Sequence, residues 1–320
     1  MNRIMSLIRN ELAKVYIMKS TWIMYGFLLA VVIFSLVMNT VTDSVDTETS
    51  YSDDWKTELQ EENEALMQEI EEKKEEDPFI EQVNTQQIEE NTYRIDNDVR
   101  PFGYHAGNFV LDNLFGSSLI NLFTIIVAGG IVANEFRWGT IKQLLIRPIS
   151  RPTILLSKYI AVLLFALLTM LSLLLTTFII GAITYGLPSA GSEALVNRPE
   201  GLSHNGVLSE IMLQYGFKLI NIIVLATFAF MISSIFRSSA LAIGVSMFLM
   251  FAGTTASVAL SEYAWSKFVL FANTDLAVYF NSMGPIREEM TIGFSVAVIA
   301  VYMLIFIVAA WSVFTKRDVT

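Results

Sequence analysis

The chain has no cysteine, two histidines and few charges: 16% of its 320 residues are Asp, Glu, Lys or Arg, against 53% hydrophobic residues. Without cysteine there is no disulfide, no thiolate nucleophile and no cysteine metal site, so redox chemistry says nothing about compartment. His105 and His204 stand alone in the sequence, without the convergent ligands a metal needs, and each reads as an ordinary loop residue. No glycine-rich loop ends in Gly-Lys-Ser or Gly-Lys-Thr, which excludes a phosphate cradle of the P-loop kind. The long apolar runs hold no histidine and no paired acids, which argues against an intramembrane hydrolase and against a buried acid or histidine relay for coupled protons. An energy source for transport is therefore expected on another chain.

What is present is apolar length. Uncharged runs of about 20 residues match a helix rising 1.5 Å per residue across about 30 Å of hydrocarbon. They place spans at 21–41, 117–133, 159–180, 215–235, 240–260 and 291–314. Lys218 is the one charge within these limits, near a span's start, where its amine can extend to the headgroups. The expected fold class is an all-α integral membrane protein with about six transmembrane helices, whose surroundings are the lipid bilayer and which binds no nucleic acid. The first run follows Arg3, Arg9, Lys14 and Lys19 but outlasts a signal core, and Met38 to Val41 offer no small-x-small cleavage site. An uncleaved anchor is expected.

Cations in short loops set the orientation. Arg3, Arg9, Lys14 and Lys19 precede span 1, and Arg137, Lys142, Arg147, Arg151 and Lys158 lie between spans 2 and 3. Arg237, Lys316 and Arg317 fall on the same side, so both termini are expected in the cytoplasm of a multi-pass cell-membrane protein. The net charge of −10 comes mostly from one outer segment, 42–116. There Trp55, Leu59, Leu66 and Ile70 recur at helical spacing, Pro78 interrupts, and Val83, Gln87 and Tyr93 continue more weakly. A large acidic helical extracellular loop is one reading; a solvated, self-repelling spacer is the other. The segment 181–214 reads as an ordinary external loop, and 261–290 as a re-entrant or interfacial turn with apolar pieces too short to cross.

The inner loop 134–158 is short, basic and patterned: NEFRWGTIKQLLIRPISRPTILLSK. Gly139 and Thr140 can start a helix, Ile141, Leu144 and Leu145 share one apolar face, and Pro148 limits it. Such a helix either seats in another protein's groove or lies on the membrane surface against lipid phosphates. The N-terminal 1–20 is amphipathic too. Ile4, Ile8, Leu12 and Val15 form one face with Leu7 at its edge, while Arg3, Arg9, Asn10 and Lys14 lie off it.

Glu135, Gly139, Thr140, Leu144, Leu145, Pro148, Ser150, Arg151 and Lys158 resemble the signature of ABC-2 type permeases, the membrane subunits of bacterial ABC exporters. The span pattern resembles that family in layout along the chain, with the acidic loop as an addition. The resemblance implies that the inner loop carries a cytoplasmic coupling helix docking on an ATP-binding subunit through Glu135, Phe136, Arg137, Gly139, Thr140, Ile141, Lys142, Leu144, Leu145, Arg147 and Pro148. It implies an N-terminal elbow helix with Leu7, Arg9, Glu11 and Lys14, where Glu11 also offers a contact to the ATPase. It further implies two copies of that ATPase, ATP and Mg bound there rather than by this chain, and a second permease, like or unlike. The expected function is export of a drug, peptide, lipid or ion without catalytic residues in this chain. A membrane sensor using the acidic outer loop is the rival, and ion-coupled secondary transport a weaker third.

Overall fold

A computed structural model describes residues 2–41, 52–73, 78–140, 149–189 and 191–316. Helix dominates, and six helical stretches are long and apolar enough to cross a bilayer. Helix α1 (Asn2–Ile17) precedes the first of them, α2 (Lys19–Val41), and α3 (Trp55–Lys73) and α4 (Pro78–Asn97) follow it. The second stretch runs through α5 (Ala106–Asp112), a 3-10 turn, α6 (Gly116–Ile131) and α7 (Ala133–Arg137). The others are α8 (Arg151–Tyr185), α9 (Val207–Phe236), α10 (Ser239–Ala259) and α12 (Ile292–Lys316), with the short α11 (Leu270–Asn273) before the last.

Every expected span has its helix, but three run well past the hydrocarbon length, and one of these moves a charge. Helix α8 starts at Arg151 rather than 159, because Ser150 holds the extended backbone of an N-cap and Pro152 sits in the first turn, where a missing N–H costs nothing. Lys158, expected in the loop, is therefore two turns inside a helix.

The helices alternate between two ends. At one, here the basal end, α1 meets the start of α8, Arg151 donates to the Thr315 carbonyl at 3.3 Å, and the Phe136 and Phe314 rings meet edge to face. At the distal end the Ala106 N–H donates to the Gly186 carbonyl, and the Tyr104 and Tyr185 rings meet edge to face at 4.8 Å. Helix α9 is the axis: it packs on α6, α8, α10 and α12. Its apolar stretch is 56% buried, against 17% for α2, which leaves α2 at the periphery.

The distal end departs most from expectation. The loop 192–210 contains a two-stranded antiparallel hairpin, β1 (Glu193–Arg198) and β2 (Gly201–Gly206), turned by Pro199 and Glu200. Gly201 takes φ +113, which a side chain would oppose. Arg198 ties the hairpin down, bonding the Glu210 carboxylate at 2.7 Å and the Phe280 carbonyl at 2.8 Å. Helices α3 and α4 pair, which agrees with the helical reading of the acidic segment, but the inward face of α4 is Asn84, Ile88 and Asn91, not Val83 and Gln87, which are exposed. Asn91 donates to Asn63 at 2.9 Å and Asn84 to Glu69 at 3.1 Å, so side-chain amides supplement the buried Leu59 and Trp55. Tyr93 meets His204 of β2 at 3.0 Å. His105 is no loop bystander: nearly fully buried, its Nδ1 accepts the Gly107 and Asn108 N–H groups and caps α5. Burial holds this imidazole below its usual pKa despite an opposing backbone hydrogen bond, in keeping with an acceptor nitrogen.

The segment 261–290 folds back against the bundle, with Leu270 and Leu276 buried beside α9 and α12. Its Asp275 receives Lys218 at 3.4 Å, so that lysine pairs within the protein rather than only extending outward. A close approach fixes the fold-back: a Cβ on Gly253 of α10 would lie 2.4 to 2.7 Å from the Phe271 ring, whereas one on Gly244 would meet nothing within 4 Å. Ala for Gly in a helix is worth about 1 kcal/mol from propensity alone. Gly244→Ala is therefore expected to hold or raise the melting temperature in detergent, and Gly253→Ala to lower it; equal shifts for the two would show that Phe271 gives way freely.

Candidate functional site

The inner loop is where the sequence placed its functional residues, and at its two flanks the structure gathers four charges from three elements. Helix α1 supplies two of them. Its buried line is Ile8, Glu11 and Val15, set against α8, while Ile4 is largely exposed and Leu7 and Leu12 are half-buried. A carboxylate thus occupies the apolar face, one position from the stripe read in the sequence. Arg9 is exposed, as its place off that face requires.

Glu135 is brought in by a bend with a specific cause. In an unbroken helix the Ala133 N–H would bond the Gly129 carbonyl four residues back. Instead the Ser233 hydroxyl of α9 stands between them, accepting from Ala133 N at 3.1 Å and donating to Gly129 O at 2.7 Å. A hydroxyl inserted into the helical ladder separates α6, ending at Ile131, from α7, starting at Ala133. Glu135, in the middle of α7, turns inward.

Lys158 of α8 is the hub. It is 1% exposed, and its ammonium lies 2.7 Å from Glu11 and 2.9 Å from Glu135. Lys14 closes the ring from outside, 2.9 Å from Glu11 and 3.0 Å from Glu135, and Thr140 donates its hydroxyl to the second Glu135 oxygen. Two carboxylates and two ammoniums cancel, which is what permits burial: an unmatched charge here would carry its desolvation cost alone. Every charge in the ring is paired, so the arrangement is a clasp between α1, α7 and α8. Half-burial of the Lys14 ammonium works to lower its pKa, but hydrogen bonds and attraction from Glu11 and Glu135 outweigh this and hold it above the ordinary lysine value.

The remaining loop residues divide. Phe136 packs on Phe314 and lies under the Arg237 guanidinium at 4.3 Å, while Arg137 and Trp138 are exposed. Gly139 follows the end of α7 at φ +70, with no neighbour near a would-be Cβ, as a helix-ending glycine does, and the helix that Gly139 and Thr140 were expected to start lies outside the described residues. Ile141, Lys142, Leu144, Leu145, Arg147 and Pro148 lie outside the described residues. Among the described residues no group of three or more His, Cys, Asp or Glu could hold a metal ion. Sequence reading missed Lys158 as the partner of Glu11, because 147 residues separate them. A signal existed: both interrupt apolar helical stripes, Glu11 between Ile8 and Val15, and Lys158 between Ile154 and Ala161.

Removing one partner from a buried ion pair costs about 3–5 kcal/mol, since the other charge stays behind. Lys158→Met and Glu11→Gln are each expected to lower the detergent melting temperature strongly, and the double variant to lose far less than the sum. Additive losses in that double-mutant cycle would show that the residues do not act as a unit.

Comparison with known proteins places the chain in a family. The chain is similar over its length to the "Uncharacterized protein YhcI" of Bacillus subtilis strain 168, 39% identical over 320 residues that cover 98% of this chain and 99% of that protein. It is also similar to the "Uncharacterized membrane protein YdbK" of the same strain, 32% identical over 204 residues, 63% of this chain and 78% of YdbK. With six apolar helices and such a relative, this is a multi-pass membrane protein. A family model described as "Protein of unknown function (DUF2705)" matches residues 103–320, from just before α5 to the last residue of the sequence, and the chain belongs to that family.

Proposed function

We propose that the chain is the membrane-spanning subunit of an ABC-2 type exporter, driven by ATP hydrolysis on a separate protein. In this reading it sits in the cell membrane with the basal end and both termini in the cytoplasm. Two copies of an ATP-binding subunit, which hold ATP and Mg, dock on the loop between α7 and α8, and a second permease, like or unlike, completes the pathway. The chain itself binds no cofactor and has no catalytic residue. Its part is mechanical.

One observation carries the reading. Glu135 and Lys158, two residues of the resemblance that flank the inner loop, are ion-paired to each other, and Lys158 is also paired to Glu11 of the N-terminal helix. A displacement of the loop would act on the end of α7 and the start of α8 together and, through Glu11, on α1. This is the linkage a coupling element needs: a rigid joint between the docking loop, the elbow helix and two spans. The cargo would then be passed by alternating access as the ATPases close.

Deletion of residues 139–145 is expected to abolish co-purification with the cognate ATPase of this reading while membrane insertion persists. Retained co-purification would remove the docking role and with it the exporter reading. In the sensor reading, the isolated acidic segment would bind a ligand, and vesicles containing the full complex would show no ATP-dependent flux.

A further inference from the structure

Beside the clasp lies a cavity of about 300 Å³, walled by α1, the start of α2, the end of α6 with α7, and the start of α10. Its lining is graded along the bundle axis. At the mouth stand Lys14, Ser20, Arg137, Trp138 and Ser239, at the ends of their helices. Further in are Met24 and Ile243, about a turn from the starts of α2 and α10, and Val127 and Ile131, about two to three turns before Arg137 at the end of the stretch that α6 and α7 share, which at 1.5 Å per residue is about 6–15 Å deeper.

The charges at the mouth are unequal in their commitments. Both carboxylates that line the cavity, Glu11 and Glu135, are spent on Lys158 and Lys14. Lys14 has three ammonium hydrogens and makes two ion-pair bonds, leaving one, and its side chain is 44% exposed. Arg137, which lines the same cavity, is exposed. The clasp is neutral, so the guanidinium sets the sign of the mouth: positive, at the level where polar helix ends meet the membrane boundary. The exposed Trp138 indole adds a group that favours the same boundary. A free anion would be served by the mouth alone; the apolar inner wall is left for a chain.

We propose that this cavity binds one anionic phospholipid, its phosphate and headgroup against Arg137 and Lys14 and the first part of an acyl chain against Val127, Ile131 and Ile243. The lipid phosphate would add a third acceptor to Lys14 and bridge α1 to α7 from the side opposite Lys158, so the clasp becomes tighter in an anionic leaflet. This inference is independent of the exporter reading, because it uses no ATPase and no cargo.

The test is native mass spectrometry of the full chain released from detergent, with four probes: phosphatidylglycerol, phosphatidylcholine of the same chains, diacylglycerol, and soluble glycerol phosphate. Expected is retention of one phosphatidylglycerol per chain, preferred over the other two lipids and not displaced by equimolar glycerol phosphate. Arg137→Gln should weaken retention about fivefold, the scale of one basic residue near an anionic surface. Ile131→Trp, filling the inner wall, should abolish it with the charges unchanged. Equal retention of phosphatidylcholine and phosphatidylglycerol, or displacement by glycerol phosphate, would overturn the proposal. Unchanged retention in folded Arg137→Gln would also overturn it and would leave that guanidinium to an acidic protein partner. Should Ile131→Trp fail to fold, Ile243→Phe addresses the same wall.

Discussion

A neutral ring of four charges, Glu11, Lys158, Glu135 and Lys14, fixes the basal end of this molecule. Its logic is electrostatic. Each buried carboxylate or ammonium is costly to remove from water, and the attraction offsets that cost only when partners are close and every charge is matched. Lys158 is therefore held where both acids reach it, and the acids are held where their helices can bring them. Helix α1 lies with its acid turned toward α8 rather than with a wholly apolar face on lipid, and the bend made by Ser233 carries Glu135 to the same point. Remove the ring and nothing else described on α1 or α7 is matched so specifically to α8.

Much of the architecture was legible because the bilayer imposes a simple length. Runs without charge of about 20 residues announce spans, and the six helices stand where the runs are. The start of α8 was legible in principle too, since Ser150, Arg151 and Pro152 make a helix-opening sequence; hydropathy set the boundary at 159 only because Lys158 looked like a loop cation. What hydropathy cannot show is a charge inside an apolar run that is matched from a distant segment. Glu11 and Lys158 are each unremarkable alone, and the same holds for Lys218 with Asp275 and Arg198 with Glu210. The register of α4 was misread by one position because Asn84 and Asn91, not apolar residues, face α3. The hairpin was missed because Pro199 and Gly201 signal a turn without saying that the flanks pair.

The residues that the resemblance singles out in the inner loop and the N-terminal helix divide by the direction they face. Glu135 and Glu11 point into the protein, Phe136 packs on Phe314, and Arg137 and Trp138 face outward. A division of labour follows from these positions. The inward members join helices, and the outward ones are left to whatever the basal surface meets, lipid or protein. The peripheral position of α2, set against the buried α9, adds a second contrast: α9 packs on four other long helices, while α2 leaves most of its surface outward.

The central claim is that α1, α7 and α8 form one mechanical unit at the basal end, moved by nucleotide on a partner. The absence of cysteine allows spin labels to be placed without background. Labels at Arg9→Cys and Trp138→Cys report within the unit, and labels at Trp138→Cys and Lys316→Cys report across it to α12. Pulsed electron-spin distance measurements on the complex with its ATPase, nucleotide-free and ATP-trapped, should show the first distance unchanged and the second shifted. A first distance that changes with ATP, or two distances that both stay fixed, would contradict it.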